Sequence, residues 1–452
     1  MKVLKFGGTS VGTEKSILQV KKIVEENKEP VIVVVSALGG ITDKLILCGN
    51  LAAAGDESYK KEWDEIAARH FNMIRQIISP DKQEQLKKEI ESLLNRLLRI
   101  LQGVELIGSL PEQTLDHIVS FGENMSSRIA ASLIDEAIRL DSLEFIKTEK
   151  WHGKNIAETE LTNNLIKEKF PEKFKVIVAP GFISTDKDSG IISNLGRGGS
   201  DFTGALIAAA LEADVLEIWT DVNGFMTADP RIIPEAKVID HLTFTESMEL
   251  CTFGAKVIYP PTIYPVFHKN IPIRILNTHN SSAPGTLITD TILTEDWPIK
   301  GVTPLKNIAT VSIISNKESA TGDTGKRALN ILSKNSIRIF PLSNPDPDVS
   351  FSFGIEMTEL NQVLNLLNRE LAPEIASGEI QSPVKKENLT ILAIVGNGIK
   401  ADPRLPARII NSLRREGIVV EASSENSEST LSFYVAEQDA NKALTIIHNL
   451  LF

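Results

Sequence analysis

The chain has 452 residues, 42% of them apolar and 24% charged, and carries a net charge of −11. That length is long enough for about three domains, the composition excludes general disorder, and the acidic balance argues against a nucleic-acid binder. Two cysteines outside any CxxC spacing and seven scattered histidines support neither a disulfide scaffold nor a zinc site. No run approaches the ~18 apolar residues of a membrane helix, and no secretory leader precedes the first strand, so a cytoplasmic protein without a membrane partner is expected.

Residues 3–6 read as a strand, and Lys5-Phe6-Gly7-Gly8-Thr9-Ser10-Val11 follows as a glycine loop. Ile17, Val20, Ile23 and Val24 then recur at helical spacing, and Val31-Ile32-Val33-Val34-Val35 is the β-branched run of a strand covered on both faces. Strand, loop, helix and buried strand are the rhythm of an α/β sheet. Residues 57–112 break it with a charged helical stretch bearing Leu86, Ile90, Leu93, Leu94, Leu97 and Leu101 on one stripe, expected to stand as a helical insertion. Strand patterns return at 176–178, 216–219 and 273–276, and Pro284-Gly285-Thr286 with Trp297-Pro298 reads as an exit linker. A first domain of 1–295 and a second region of 296–452 are expected. The second region reads twice as βαββα, over about 303–387 and about 388–452. A βαββαβ ferredoxin-like unit needs one more strand, which residues 299–302 would supply to the second repeat by crossing over.

A second glycine-rich block, Leu195-Gly196-Arg197-Gly198-Gly199-Ser200-Asp201, opens an apolar helix. Successive amides in such loops form anion-binding nests. With a Lys in one loop and an Arg and an Asp in the other, the pair resembles two sides of a phosphate-transfer cleft. Lys5 has a plainer reading as a strand-end lysine reaching water, and Ser200-Asp201 as helix N-caps. Capping alone leaves three clustered glycines and the guanidinium of Arg197 unexplained; a planar fork there suits a carboxylate. No Gly-Lys-Ser/Thr follows Gly8, so this is not a Walker loop. Glu123 is ambiguous because Ser120-Phe-Gly-Glu123 has capping-box spacing. Thr220-Asp221 after an apolar strand is either an ordinary polar turn or a ligand loop at a strand's C-terminal end.

The blocks Lys5–Val11, Ser36–Thr42, Phe121–Glu123, Leu195–Asp201, Ile218–Val222 and Phe253-Gly-Ala-Lys256 resemble aspartate kinase motifs in that family's order, over essentially the whole chain. The resemblance implies the amino-acid-kinase fold, a three-layer α/β/α domain with a mainly parallel sheet, followed by a tandem pair of ferredoxin-like ACT modules. It implies transfer of the γ-phosphoryl of ATP, with Mg2+, to the side-chain carboxylate of L-aspartate. By resemblance Thr42, Glu123 and Arg197, with Gly199 and Ser200, hold aspartate. Lys5, Gly7, Gly8, Thr220, Asp221, Met226, Arg231 and Lys256 contact ATP. Lys5 stabilises the migrating phosphoryl, and Asp201 orients Lys5 and, directly or through water, the magnesium; no residue is assigned as a protein metal ligand.

Two positions depart from the family pattern in that domain: Met226 stands where a tyrosine is usual, and Tyr259 where a histidine is usual. The Tyr259 change is expected to affect packing alone. The length of the chain implies one activity, without a fused homoserine dehydrogenase. The resemblance further implies a homodimer or larger assembly and an amino-acid effector at the ACT modules, lysine first and threonine next. Arg338, after the first module's helix, opposes lysine, with Asp346 and Asp348 as the nearest replacement carboxylates. The alternatives are another enzyme of the same fold, such as a glutamate, acetylglutamate or uridylate kinase, and a non-catalytic amino-acid sensor.

Overall fold

The computed structural model describes residues 1–151, 153–291, 298–315, 321–342 and 349–452. They divide into two compact units, Met1–Phe225 with Asp240–Phe244 and Val257–Ile292, and Met226–Ile239 with Thr245–Lys256 and Leu293–Phe452.

In the first unit an eight-stranded sheet runs, edge to edge, through His241–Thr243, Thr286–Thr289, Ile273–Asn277, Val215–Thr220, Lys2–Phe6, Val31–Val35, Val176–Pro180 and Ala137–Arg139. All neighbours are parallel except Ile273–Asn277 against Thr286–Thr289. Every residue of Val31–Val35 and Val176–Pro180 is buried, as expected of central strands covered on both faces. Two long helices, Tyr59–Ile77 and Pro80–Ile107, account for the charged stretch; Leu86, Ile90, Leu94, Leu97 and Leu101 of the stripe are buried in the same core as Val33 and Val35, and Leu93 is partly buried against it. A four-stranded sheet of Lys154–Ala157, Lys147–Trp151, Ile183–Asp186 and Ile192–Asn194 has no counterpart in the sequence reading.

Ser120 is not a cap: its helix begins at Glu112, and in mid-helix its hydroxyl donates to the His117 carbonyl at 2.7 Å. Pro284-Gly285 is not a linker but the turn into the strand Thr286–Thr289, with Gly285 at φ +73°. Trp297 lies outside the described residues.

The second unit holds a six-stranded antiparallel sheet in the order Phe340–Pro341, Val349–Glu356, Gly301–Ile314, Val384–Val395, Thr430–Ala436, Val420–Ser427. The fourteen-residue strand Gly301–Ile314 serves both halves. Its first part, Gly301 to Leu305, pairs with Val395 to Ile391, whereas Ile308 to Ile314 pairs with Glu356 to Val349. Helices Leu360–Glu370, Leu405–Arg415 and Ala440–Leu451 each bury a stripe of apolar residues in one of two cores among the described residues of this unit, the first helix in one and the other two in the second, with a third core beside them. The segments Met226–Ile239 and Thr245–Lys256 pack into this unit through Ala228, Ile233 and Ala236 in one core and Phe253 beside Phe340 in another.

Candidate active site

Lys5 occupies the middle of the sheet, opposite Val34 on one neighbour and Ile218 on the other. After Phe6 the chain turns into Gly7-Gly8. The Gly7 N–H donates to the Trp219 carbonyl at 3.1 Å, and the Gly39 N–H donates to the Gly8 carbonyl at 2.9 Å. A Cβ on Gly8 would stand 3.0 Å from the Ala37 carbonyl oxygen, so the first loop and the Ala37–Gly40 turn meet closely only because this residue is glycine.

The second glycine loop approaches the same place. Gly196 and Gly198 both take φ +70°, and the helix Gly199–Ala210 starts directly after Gly198. Ser200 and Asp201 lie in its first turn, one residue inside the expected start, with no side-chain cap on the helix. Lys5 is 8% exposed, and its Nζ lies 2.6 Å from Asp201 Oδ1.

Glu123 enters from the helix Glu112–Leu133. Gly122 brings this helix against the turn, since a Cβ there would stand 2.7 Å from Ala37 Cβ, and the Ser126 hydroxyl donates to the Ser36 carbonyl at 2.7 Å. The Glu123 carboxyl is buried, and Oε2 has no hydrogen-bond partner. Burial pushes its pKa up to about 8, against the pull of the Ala37 and Glu123 amides and the Lys5 charge.

These residues enclose a cleft of about 350 Å3, lined by Lys5, Gly8, Thr42, Glu123, Gly199, Ser200 and Asp201 together with the Ser36–Gly40 turn. The helices Ile41–Ala53 and Gly199–Ala210 both begin in this lining, each after a glycine of positive φ. Two helix N-termini and an ammonium suit an anionic group, and a buried carboxylate with an unmet oxygen suits a cation that brings its own donors. Asp43 and Phe182 also line the cleft and went unnoticed in the sequence; the glycines of the 36–42 block are the signal that points to Asp43.

Other predicted residues fall elsewhere. Arg197 is exposed outside the cleft lining, with its guanidinium carbon 6.0 Å from the centroid of the Tyr259 ring. Thr220 and Asp221 close the strand Val215–Thr220, where the Thr220 hydroxyl donates to Asp221 at 3.2 Å. Asn277, at the end of the neighbouring parallel strand, donates to Asn223 Oδ1 at 2.8 Å and to the Asp221 carbonyl at 3.3 Å, so this loop is built against its neighbour. Met226, Arg231 and Lys256 belong to the second unit. There Met226 bridges to Val238, Arg231 forms a two-pronged pair with Asp229, and Lys256 is exposed. Among the described residues, no group of three or more His, Cys, Asp or Glu side chains is placed to hold a metal, and no helix is long and apolar enough to cross a membrane.

A model of the Amino acid kinase family matches residues 1–277, and a model of the ACT domain matches residues 392–451. The bifunctional aspartokinase/homoserine dehydrogenase of Buchnera aphidicola is 31% identical over 462 residues, covering 100% of this chain and 56% of the relative. The chain thus spans little more than half the length of such bifunctional relatives. Aspartokinase 1, chloroplastic, of Arabidopsis thaliana is 27% identical over 474 residues, covering 100% of this chain and 80% of the relative. Among solved structures, E. coli aspartokinase III in complex with aspartate and ADP matches at a TM-score of 0.86 and 26% identity, over 100% of both chains. The aspartate kinase of Clostridium acetobutylicum matches at 0.82 and 26%, again over 100% of both.

Proposed function

This chain belongs to the amino acid kinase family, and from that premise we propose that it is an aspartate kinase. The observation that carries the reading is one cleft that sets the Lys5–Asp201 pair and two helix N-termini beside the buried, half-unpaired carboxyl of Glu123. The first group fits a phosphoryl in transit, the second the ammonium of an amino acid. Similarity to aspartokinase III, solved with aspartate and ADP, supports both assignments.

In this reading an oxygen of the aspartate side-chain carboxylate attacks the γ-phosphorus of MgATP. The bond from that phosphorus to the β,γ-bridging oxygen breaks, giving 4-phospho-L-aspartate and ADP. The attacking carboxylate has a pKa near 4 and is ionised at neutral pH, so the reaction needs no general base. The task is positioning and charge neutralisation. Lys5 and the Gly8 amide face the charge spreading over the transferred group, whereas the Gly7 amide is engaged by the Trp219 carbonyl. Asp201 holds Lys5 in place and orients the magnesium that arrives with ATP, directly or through water. Glu123, once ionised, pairs with the substrate ammonium; Thr42, Gly199 and Ser200 line its pocket, and Arg197 takes the α-carboxylate. Thr220 and Asp221 keep the nucleotide contacts that the resemblance implies.

The product is an acyl phosphate, an activated carboxyl ready for reduction in the aspartate-derived amino-acid pathway. Carried on the same similarity, the second unit senses an amino-acid effector, lysine before threonine, in a homodimer or larger assembly in the cytoplasm. An aspartokinase III complex with lysine and aspartate supports the effector. Hydroxylamine trapping of the acyl phosphate, run with aspartate, glutamate and acetylglutamate, tests the activity: a hydroxamate is expected from aspartate, and turnover with none of the three favours a non-catalytic sensor.

A further inference from the structure

Asp116 lies two turns before Glu123 on the helix Glu112–Leu133, at a spacing that puts both on one face. It is 8% exposed, and both its oxygens are engaged. Oδ1 accepts from Asn194 Nδ2 at 2.6 Å, and Oδ2 accepts from Asn155 Nδ2 at 3.2 Å. The other end of the Asn194 amide, Oδ1, accepts from the Gly196 N–H at 2.8 Å, and the Gly196 carbonyl accepts from the Gly199 N–H at 3.0 Å. A chain of hydrogen bonds therefore runs from a buried carboxylate to the glycine turn that lines the cleft.

We infer that Asp116 is a positioning residue for substrate binding, acting through Asn194 to fix the Gly196–Gly199 turn and with it Arg197, Ser200 and Asp201. The chemistry lies in what each group can offer. An ionised carboxylate only accepts, whereas an amide has a donor end and an acceptor end. Facing Asp116, Asn194 must present its NH2, which leaves its oxygen toward the Gly196 N–H. If the amide turned over, its oxygen would face a carboxylate and its NH2 an N–H donor. Asp116 thereby selects one amide orientation, and that orientation holds Gly196 at the positive φ from which the loop turns toward the cleft. Because Glu123 projects from the same helix, the ammonium site and the glycine turn share one rigid support. The positioning role rests on the aspartate-kinase reading of the cleft; the hydrogen-bond relay does not.

The test is an exchange of partners in the full-length protein. Asp116→Asn sets an NH2 against an NH2, and Asn194→Asp sets two carboxylates against each other. The double variant Asp116→Asn with Asn194→Asp satisfies every bond again: the new amide donates to position 194 and accepts from Asn155, while the new carboxylate accepts from Gly196, with no change in net charge. Each single variant is expected to raise the KM for aspartate roughly ten- to a hundredfold, the scale of a small misplacement at a reacting site. The KM for ATP should change far less, and the double variant should return close to the parent. Hydrogen exchange at the Gly196 amide supplies a readout independent of turnover: faster in both single variants, slow again in the double. Single variants with unaltered aspartate KM and unaltered exchange, or a double variant as impaired as the worse single, would overturn the relay. A parent enzyme that makes no acyl phosphate from aspartate sinks the aspartate reading instead, and the exchange measurement still decides the relay.

Discussion

Lys5 Nζ and Asp201 Oδ1 stand 2.6 Å apart with side chains only 10% and 13% exposed, joining the central strand of the sheet to the first turn of the helix Gly199–Ala210. A pair so sheltered from water is costly to break, because either partner alone is left as an uncompensated charge. It also stands where negative charge gathers during phosphoryl transfer. Lys5→Ala and Asp201→Ala are each expected to lower kcat by about a hundredfold or more, the scale of losing one preorganised electrostatic partner. The double variant should fall no further than the worse single, since the two act as a unit. Steady-state kinetics with circular dichroism on the three proteins checks this; near-normal kcat in folded Lys5→Ala would make the pair structural.

Glu123 adds a pH dependence of known sign. Its folded pKa of about 8 lies above the unfolded value of about 4.3. Between those values the folded protein keeps a proton that the unfolded chain has released, so the ligand-free protein loses stability as pH rises through this window. The Glu123→Gln variant should show a flatter stability profile there. Binding an ammonium requires the ionised form, so the aspartate KM of the parent should fall as pH rises from 7 toward 9, with proton release on binding. Denaturant titrations and KM measurements across that range test both halves. A KM independent of pH would mean that Glu123 does not meet the substrate's ammonium.

Gly198 combines φ +70° with a crowded neighbour, since a Cβ there would stand 2.5 Å from Tyr259 Cβ. A side chain at this position is penalised for backbone strain and for overlap, each worth about 1–3 kcal/mol. Gly198→Ala should therefore lower the melting temperature and weaken aspartate binding together. Gly196 has the same φ but open space beyond it, so Gly196→Ala should cost less stability. Equal melting points for the two variants would refute the steric account.

Arg197 rests against the face of Tyr259, at the 6.0 Å outer range of a cation–π contact. A planar guanidinium meets a carboxylate at two points, and an ammonium does not. Arg197→Lys is expected to raise the KM for aspartate well beyond that for ATP, and Tyr259→Phe, which keeps the ring, to change neither. A larger rise in the ATP KM would move Arg197 to the phosphates.

The parts of the cleft legible in sequence were those where chemistry leaves a local trace: Gly7-Gly8 and Gly196–Gly199 announce close backbone approach, and the β-branched run at 31–35 announces a covered strand, whereas the Gly39-Gly40 turn came only with the resemblance. Glu123 was legible only through the resemblance, because its helix starts eight residues before Ser120, at Glu112 behind Pro111, and hides the site inside a long amphipathic stretch. Asp116, Asn155 and Asn194 were illegible for a different reason. They are ordinary polar residues whose bonds span 39 and 78 positions, and nothing local marks one as the partner of another. The strand Thr286–Thr289 was missed because its Pro-Gly lead-in reads equally well as a turn and as a linker.

Regulation supplies the last test. Arg338, which argues against a lysine effector if it is free, is engaged: its Nη2 donates to the Thr252 carbonyl at 2.9 Å, and its guanidinium lies 4.9 Å from the Phe340 ring centroid. Phe340 packs beside Phe253, so Arg338 and Phe340 together hold the end of the helix Phe244–Thr252 within the second unit. Asp346 and Asp348 lie outside the described residues. Both partners are neutral, so the contacts fix the guanidinium in place and leave its charge uncancelled; the order of lysine before threonine rests on the similarity to aspartokinase III alone. On that similarity lysine is expected to inhibit the parent enzyme. Arg338→Ala is expected to shift the inhibition curve, because it loosens the hold on Thr252 as well as removing a charge. Activity measured against lysine and threonine titrations for both proteins, with sedimentation run alongside, decides the matter. Insensitivity of the parent to both amino acids, in a monomer, would reduce the second unit to a structural role.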